Sequence, residues 1–207
     1  MMIRSILTLL TVTVCHSAAV AAGNDQRFEI SPIGGYRFGG TFEIEASDAS
    51  YEIQDSSSLG LILNLRESEN TQWELLFSRQ TSEARLDSGT VTQPLVDLDL
   101  EVLQIGGTYQ GQGDMFRPYL AATIGGTRIK TETASDSFFS GSIGVGLQIR
   151  PLHRLGIRLE ARAYGTLTDS NTDLFCRTGP DLNICAVRVK GELLAQLETF
   201  AGIVFRF

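Results

Sequence analysis

The residues able to do chemistry are few and scattered. Beyond the N-terminal leader discussed below, one histidine remains, His153, in the segment Arg150-Pro151-Leu152-His153-Arg154. A catalytic histidine needs a nucleophile and an orienting acid converging on it, and this segment reads instead as a solvated turn. Carboxylates recur at two-residue spacing in Asp97, Asp99 and Glu101, and on one strand face in Glu192 and Glu198. A hydrolase pair would need a cleft and displaced pKa values, whereas partners for Arg158, Arg162 and Lys190 need only proximity. The glycine pairs Gly34-Gly35, Gly39-Gly40, Gly106-Gly107 and Gly125-Gly126 lack the spacing and the Lys-Ser or Lys-Thr of a phosphate loop. The sequence therefore assigns no catalytic, cofactor-binding or metal-ligating residue, and the chain reads as a non-enzyme.

Cysteine chemistry depends on compartment. Arg4, the apolar run from Ile6 to Val14 and the small residues Ser17 to Ala22 form the three parts of a secretory signal peptide, with an apolar stretch too short to span a bilayer as a helix. Residues 1–22 are read as a cleaved leader and 23–207 as one domain. Cys15 follows Val14 where a lipidation site would have a small residue, and a better cleavage site follows, so the lipoprotein reading is set aside. In an exported chain Cys176 and Cys185, within a stretch rich in Asp, Asn, Gly and Pro, are expected to form a loop disulfide. A metal site there would lack a neighbouring histidine. Removing Arg4 leaves 16 basic against 24 acidic residues, a net charge of −8, which disfavours nucleic acid as a partner.

The elements that must position these groups are strands. From Val187 to Phe207 the odd positions carry no charge, while the even positions hold Arg188, Lys190, Glu192, Glu198 and Arg206. A strand sends alternate side chains to opposite faces, so one face is apolar and the other ionic. The same alternation recurs around Phe28 to Phe38, Leu59 to Arg66, Trp73 to Ser78, Val96 to Ile105, Phe116 to Ile124, Phe139 to Arg150 and Leu155 to Tyr164. One run is imperfect: Val96, Leu98, Leu100 and Val102 alternate with Asp97, Asp99 and Glu101, but Gln104 then falls on the apolar face, and a bulge near Gly106-Gly107 is expected to reset the phase. Short turns at 67–70, 111–114 and 151–154 alternate with longer polar connections at 46–55, 81–95, 130–137 and 169–186. Eight strands with this alternation predict an all-β fold, an eight-stranded antiparallel up-and-down transmembrane β-barrel with its short turns in the periplasm.

A soluble sandwich or lipocalin-like barrel would turn the apolar face inward. Two features favour the opposite. Trp73, Phe28, Phe116, Phe205 and Phe207 fall at one end of the apolar face and Phe38, Phe42 and Phe139 near the other, as in the aromatic girdles of membrane interfaces. Away from the strand ends the inward list then holds Arg37, Arg66, Arg117, Arg158, Arg162 and Lys190 against Glu74, Asp99, Glu101, Glu160, Glu192 and Glu198, six of each sign. Eight strands enclose only enough room for side chains, so the reading is a salt-bridged plug. A narrow channel or small-ligand transporter is the alternative; a lipid-modifying enzyme would need a base near the outer interface, whereas His153 falls at the periplasmic end.

The last eight residues, Phe200-Ala201-Gly202-Ile203-Val204-Phe205-Arg206-Phe207, resemble the C-terminal signal that the barrel-assembly machinery reads, with Gly202, Phe205 and Phe207 matching and Phe200 departing from it. Segments such as Ile33-Gly34-Gly35-Tyr36-Arg37-Phe38 and Leu155-Gly156-Ile157-Arg158-Leu159-Glu160 resemble strands of the outer-membrane-protein-A-type and opacity-type small barrels. The resemblance implies an integral protein of the Gram-negative outer membrane, in contact with lipid and lipopolysaccharide, handled by the assembly machinery and offering its loops to a surface or host ligand. It implies fold and membrane better than activity, because that superfamily hosts structural, adhesive and enzymatic members.

Overall fold

The computed structural model describes residues 27–43, 50–87, 92–131, 135–168, 177–179, 182–184 and 193–207. Residues 1–22, expected to be a leader, and Cys176, Cys185, Lys190 and Glu192 lie outside the described residues. The strands are β1 (Phe28–Phe38), β2 (Thr41–Glu43), β3 (Ser50–Ile53), β4 (Ser56–Arg66), β5 (Thr71–Asp87), β6 (Thr92–Gln110), β7 (Phe116–Lys130), β8 (Ser135–Ile149), β9 (Leu155–Leu167), β10 (Arg177–Gly179), β11 (Leu182–Ile184) and β12 (Leu193–Arg206). Eight of them, β1, β4, β5, β6, β7, β8, β9 and β12, pair antiparallel in that cyclic order. The ring closes where β12 meets β1, from Glu29 opposite Arg206 to Phe38 opposite Leu197. Closure pairs every strand on both sides, which removes the edges that a lipid environment cannot solvate.

The turns expected in the periplasm are short: β4 and β5, β6 and β7, and β8 and β9 follow one another within a few residues. At the other end the wall rises beyond a membrane span. A tilted transmembrane strand needs about 9–11 residues, whereas β5 has 17 and β6 has 19. The connection anticipated at 81–95 is therefore mostly strand. On the first hairpin, β3 pairs with the upper part of β5, and β2 with β3, so these short strands raise the same rim.

That extension overturns two expectations for β6. Its alternation runs in one phase, with Leu98, Leu100, Val102 and Gln104 buried inside and Leu103 and Ile105 exposed outside. The register against β5 is continuous past Gly106-Gly107, and its single irregularity lies at Ala84/Arg85, where Arg85 pairs with Pro94. A proline cannot donate to the ladder, which suits it to a bulge. Asp99 and Glu101 consequently point outward and not into the lumen. The physical reason is height: above the bilayer the outer face meets water and the inner face becomes an apolar core, so polarity inverts without any change of phase. Ile53, Leu98, Leu100, Ile129 and Leu194 form the buried upper interior, each at most 1 % exposed.

Below that level the outer face is apolar all round. Leu59, Leu120, Ile124, Ile143, Ile157 and Ile203 are exposed. The last apolar outward row of the β5 to β8 wall is Phe77, Leu103, Gly126 and Phe139 in register; the next outward row is Arg79, Glu101, Arg128 and Ser137. This step marks the outer boundary of the belt. Trp73, Tyr109, Phe116, Phe205 and Phe207 are exposed at the periplasmic boundary, with Tyr36, Phe38 and Phe139 toward the outer one.

Candidate functional site

The barrel interior concentrates the polar chemistry of the chain. Its alternate inward positions place Glu74 on β5 and Arg158, Glu160 and Arg162 on β9 in one central cluster. Glu74 Oε1 accepts from Arg162 Nη2 at 2.6 Å and Glu74 Oε2 from Arg158 Nη2 at 2.8 Å. Glu160 completes the square, with Oε1 2.6 Å from Arg162 Nε and Oε2 3.3 Å from Arg158 Nε. Tyr119 donates to Glu160 Oε2 at 2.6 Å and accepts from Arg158 Nε at 2.8 Å, while Asn64 bridges Glu74 and Arg158. Two guanidiniums thus face two carboxylates, and added hydrogen bonds satisfy the remaining oxygens, the condition under which buried charge is tolerable.

Glycines on β8 make room for this cluster. A side chain at Gly146 would collide with the Tyr119 ring, and one at Gly144 with the Glu160 carboxylate. These two glycines thus relieve crowding inside a narrow barrel.

Above the square lies an apolar layer of Ile33, Ile62, Leu76, Val102 and Phe200, joined by the Tyr164 ring. A second ion pair follows: Arg37 Nη2 is 2.9 Å from Glu198 Oε2 and donates to Ser78 Oγ at 2.7 Å. Tyr164 donates to Glu198 Oε2 at 2.5 Å, Ser58 donates to Glu198 Oε1, and the Arg37 guanidinium lies 4.5 Å from the Tyr164 ring centre. Arg37, Arg162, Glu74 and Glu198 are all at most 1 % exposed. Hydrogen-bonded Gln80, Gln196 and Ser56 continue upward to the apolar cap.

Of the charges expected inside, the structure places Arg37, Glu74, Arg158, Glu160, Arg162 and Glu198 in these two clusters. Arg66 and Arg117 lie inward but half-buried at the periplasmic mouth. Asp99 and Glu101 stand outside, paired with Arg79 at 2.8 Å and Lys130 at 2.7 Å. The Asp99 carboxyl is held below the usual aspartate range by hydrogen bonds from Thr81 and Arg79, against a small desolvation cost. Sequence reasoning missed Tyr119 and Tyr164, because an inward tyrosine carries no charge to flag it. It also passed over Glu29, Arg150 and Arg206, which sit at strand ends. His153 is exposed in its turn.

A closed antiparallel barrel with a filled polar centre and an uncharged belt defines a transmembrane β-barrel of the outer-membrane type. Such barrels lie in the outer membrane of Gram-negative cells, and lipid is the medium its belt requires. Comparison with solved structures finds the same fold in Neisserial surface protein A, at a TM-score of 0.58 and 12 % identity over 87 % of this chain and 97 % of that one. The outer membrane protein OprG of Pseudomonas aeruginosa is similar at a TM-score of 0.57 and 12 % identity, over 88 % of this chain and 97 % of that one. No protein-family profile matches the sequence, and no curated protein matches it at a significant level.

Proposed function

We propose that the chain is a plugged, non-catalytic outer-membrane barrel that stiffens the envelope and presents its raised rim and loops to surface ligands. The observation carrying this reading is the pair of fully buried ion clusters separated by an apolar layer, which leaves the lumen filled across its width. Opening a wet path would require unpairing Glu74 from both Arg158 and Arg162, and breaking a buried pair costs about 3–5 kcal/mol. The rim supports the interactive part, since β5 and β6 carry the wall well past the belt as ordered strand.

Contact with lipopolysaccharide fits the outward row of Arg79, Glu101 and Arg128 with Asp99 and Lys130 above it, at headgroup height. Recognition by the barrel-assembly machinery through Gly202, Phe205 and Phe207 fits the exposure of both phenylalanines at the end of β12. Gly202 has a packing role besides, because a Cβ there would lie 2.6 Å from the Pro32 carbonyl across the β12 to β1 seam. Reconstitution into planar bilayers tests the reading. The expected trace shows no steady conductance above bare membrane, and a large, persistent conductance would contradict it.

A further inference from the structure

The periplasmic mouth holds a group of arginines that neither the plug nor the belt uses. Its floor is a chain of glutamines: Gln110 Nε2 donates to Gln72 Oε1 at 3.1 Å and to Gln148 Oε1 at 3.4 Å, and Gln148 Nε2 donates to Glu29 Oε2 at 3.0 Å. Around that floor stand Arg66 from β4, Arg117 from β7, Arg206 from β12 and Arg150 from the turn after β8. Four guanidiniums face one carboxylate, Glu29, whose Oε1 is 3.7 Å from both Arg150 Nη2 and Arg206 Nε, too far for a hydrogen bond. Among the described residues none of the four pairs with the turn carboxylates Glu67, Glu69 or Asp114, which are exposed.

Arg150 Nε and Nη2 donate to Gln148 Oε1, and Nη2 also to Gln110 Oε1, but two other donors are left over. Arg206 and Gln72 are 5 % and 4 % exposed, yet Arg206 Nε and Gln72 Nε2 are buried without a hydrogen-bond partner. Arg206 spends its other nitrogens on the carbonyls of His153 and Leu155, and Arg117 Nε folds back onto Gly113 O at 2.7 Å. Burial pulls the Arg150 guanidinium down to about 10; Glu29 opposes this, and Arg117, Arg206 and Arg66 add to it. Like charges gathered in a half-buried mouth favour an anion that spreads across them, and planar guanidinium forks beside amide donors match a tetrahedral oxyanion better than a halide.

We infer that the periplasmic mouth is a binding site for a phosphate group, held by Arg66, Arg117, Arg150 and Arg206 over the glutamine floor. The group comes either from soluble phosphate in the periplasm or from a lipid headgroup at the rim.

The test follows arginine Nε–H resonances of the folded barrel in a phosphate-free neutral detergent, titrated with inorganic phosphate at constant ionic strength. Saturable shifts of the mouth arginines are expected, displaced by sulfate and not by chloride. The double variant Arg66→Gln with Arg117→Gln should weaken binding about tenfold per guanidinium removed. If the glutamine variant fails to fold, Arg66→Lys with Arg117→Lys keeps the charge, loses the forks and should still weaken binding. Shifts that never saturate, or an affinity that survives loss of both forks, would overturn the site. Phosphatidylglycerol nanodiscs without added phosphate then separate the sources: the same shifts assign the lipid headgroup, and their absence assigns soluble phosphate.

Discussion

Glu74 is the residue on which the plug turns. It takes one guanidinium on each carboxylate oxygen, so Glu74→Gln leaves Arg158 and Arg162 sharing Glu160 alone. The expected result is a loss of about 3–5 kcal/mol in urea unfolding from lipid vesicles, far above the effect of removing an exposed partner such as Asp99. Gly146 tests the packing side of the same cluster. Gly146→Ala drives a methyl into the Tyr119 ring and should cost about 1–3 kcal/mol. Because the two positions touch, the double variant with Tyr119→Ala should cost clearly less than the single effects combined; strict additivity in the cycle would show that the ring does not fill that space. Which residues turn inward was legible, because charges such as Arg158, Glu160 and Arg162 share a period-two register with Leu155, Ile157 and Leu159. Which charge meets which was not. Pairing across the lumen joins Glu74 on β5 to Arg158 and Arg162 on β9, the β12 to β1 seam joins residues as distant in sequence as Arg37 and Glu198, and no local pattern encodes either.

At the scale of the element, β6 shows what alternation can and cannot tell. Period two separates two faces, but it does not say how far up the wall a residue stands, and the meaning of each face reverses where lipid gives way to water. Leu98 and Leu100 therefore look like belt residues and are core, while Asp99 and Glu101 look like lumen residues and meet solvent. The strand needed no bulge at Gly106-Gly107 to explain it. A titration checks the outward placement of Asp99. Its carboxyl accepts from Thr81 and Arg79, so its folded pKa lies below the ordinary 3.8. A depressed carboxylate pKa stabilises above the unfolded value and loses that contribution as pH falls through the folded one. Carbon-detected NMR should give a midpoint under 3.8 that moves upward in Thr81→Ala. A midpoint at or above the ordinary value in the parent protein would contradict the pairing.

For the whole molecule, the barrel is a stack: an arginine-rich periplasmic mouth, a central charge square, an apolar layer, a second ion pair and an apolar cap, inside a wall whose outer surface is bare of charge until the row at Arg79, Glu101 and Arg128. The eight-strand closure and the short turns were readable from the sequence because each strand repeats one rule and each turn breaks it with Gly, Pro, Asn or Asp. The height of the rim was not, since Thr81 to Leu95 is polar enough to pass for loop. Everything rests on the belt facing lipid. Spin labels placed singly from Leu155 to Leu167 on β9, in bilayer vesicles, measure this directly through collision with oxygen and with a water-soluble nickel reagent. The expected pattern is oxygen access at Ile157, Leu159, Ala161 and Ala163, alternating with protection from both reagents at Arg158, Glu160 and Arg162. Nickel access at Ile157 and Leu159 equal to that of an exposed turn residue such as His153 would contradict it.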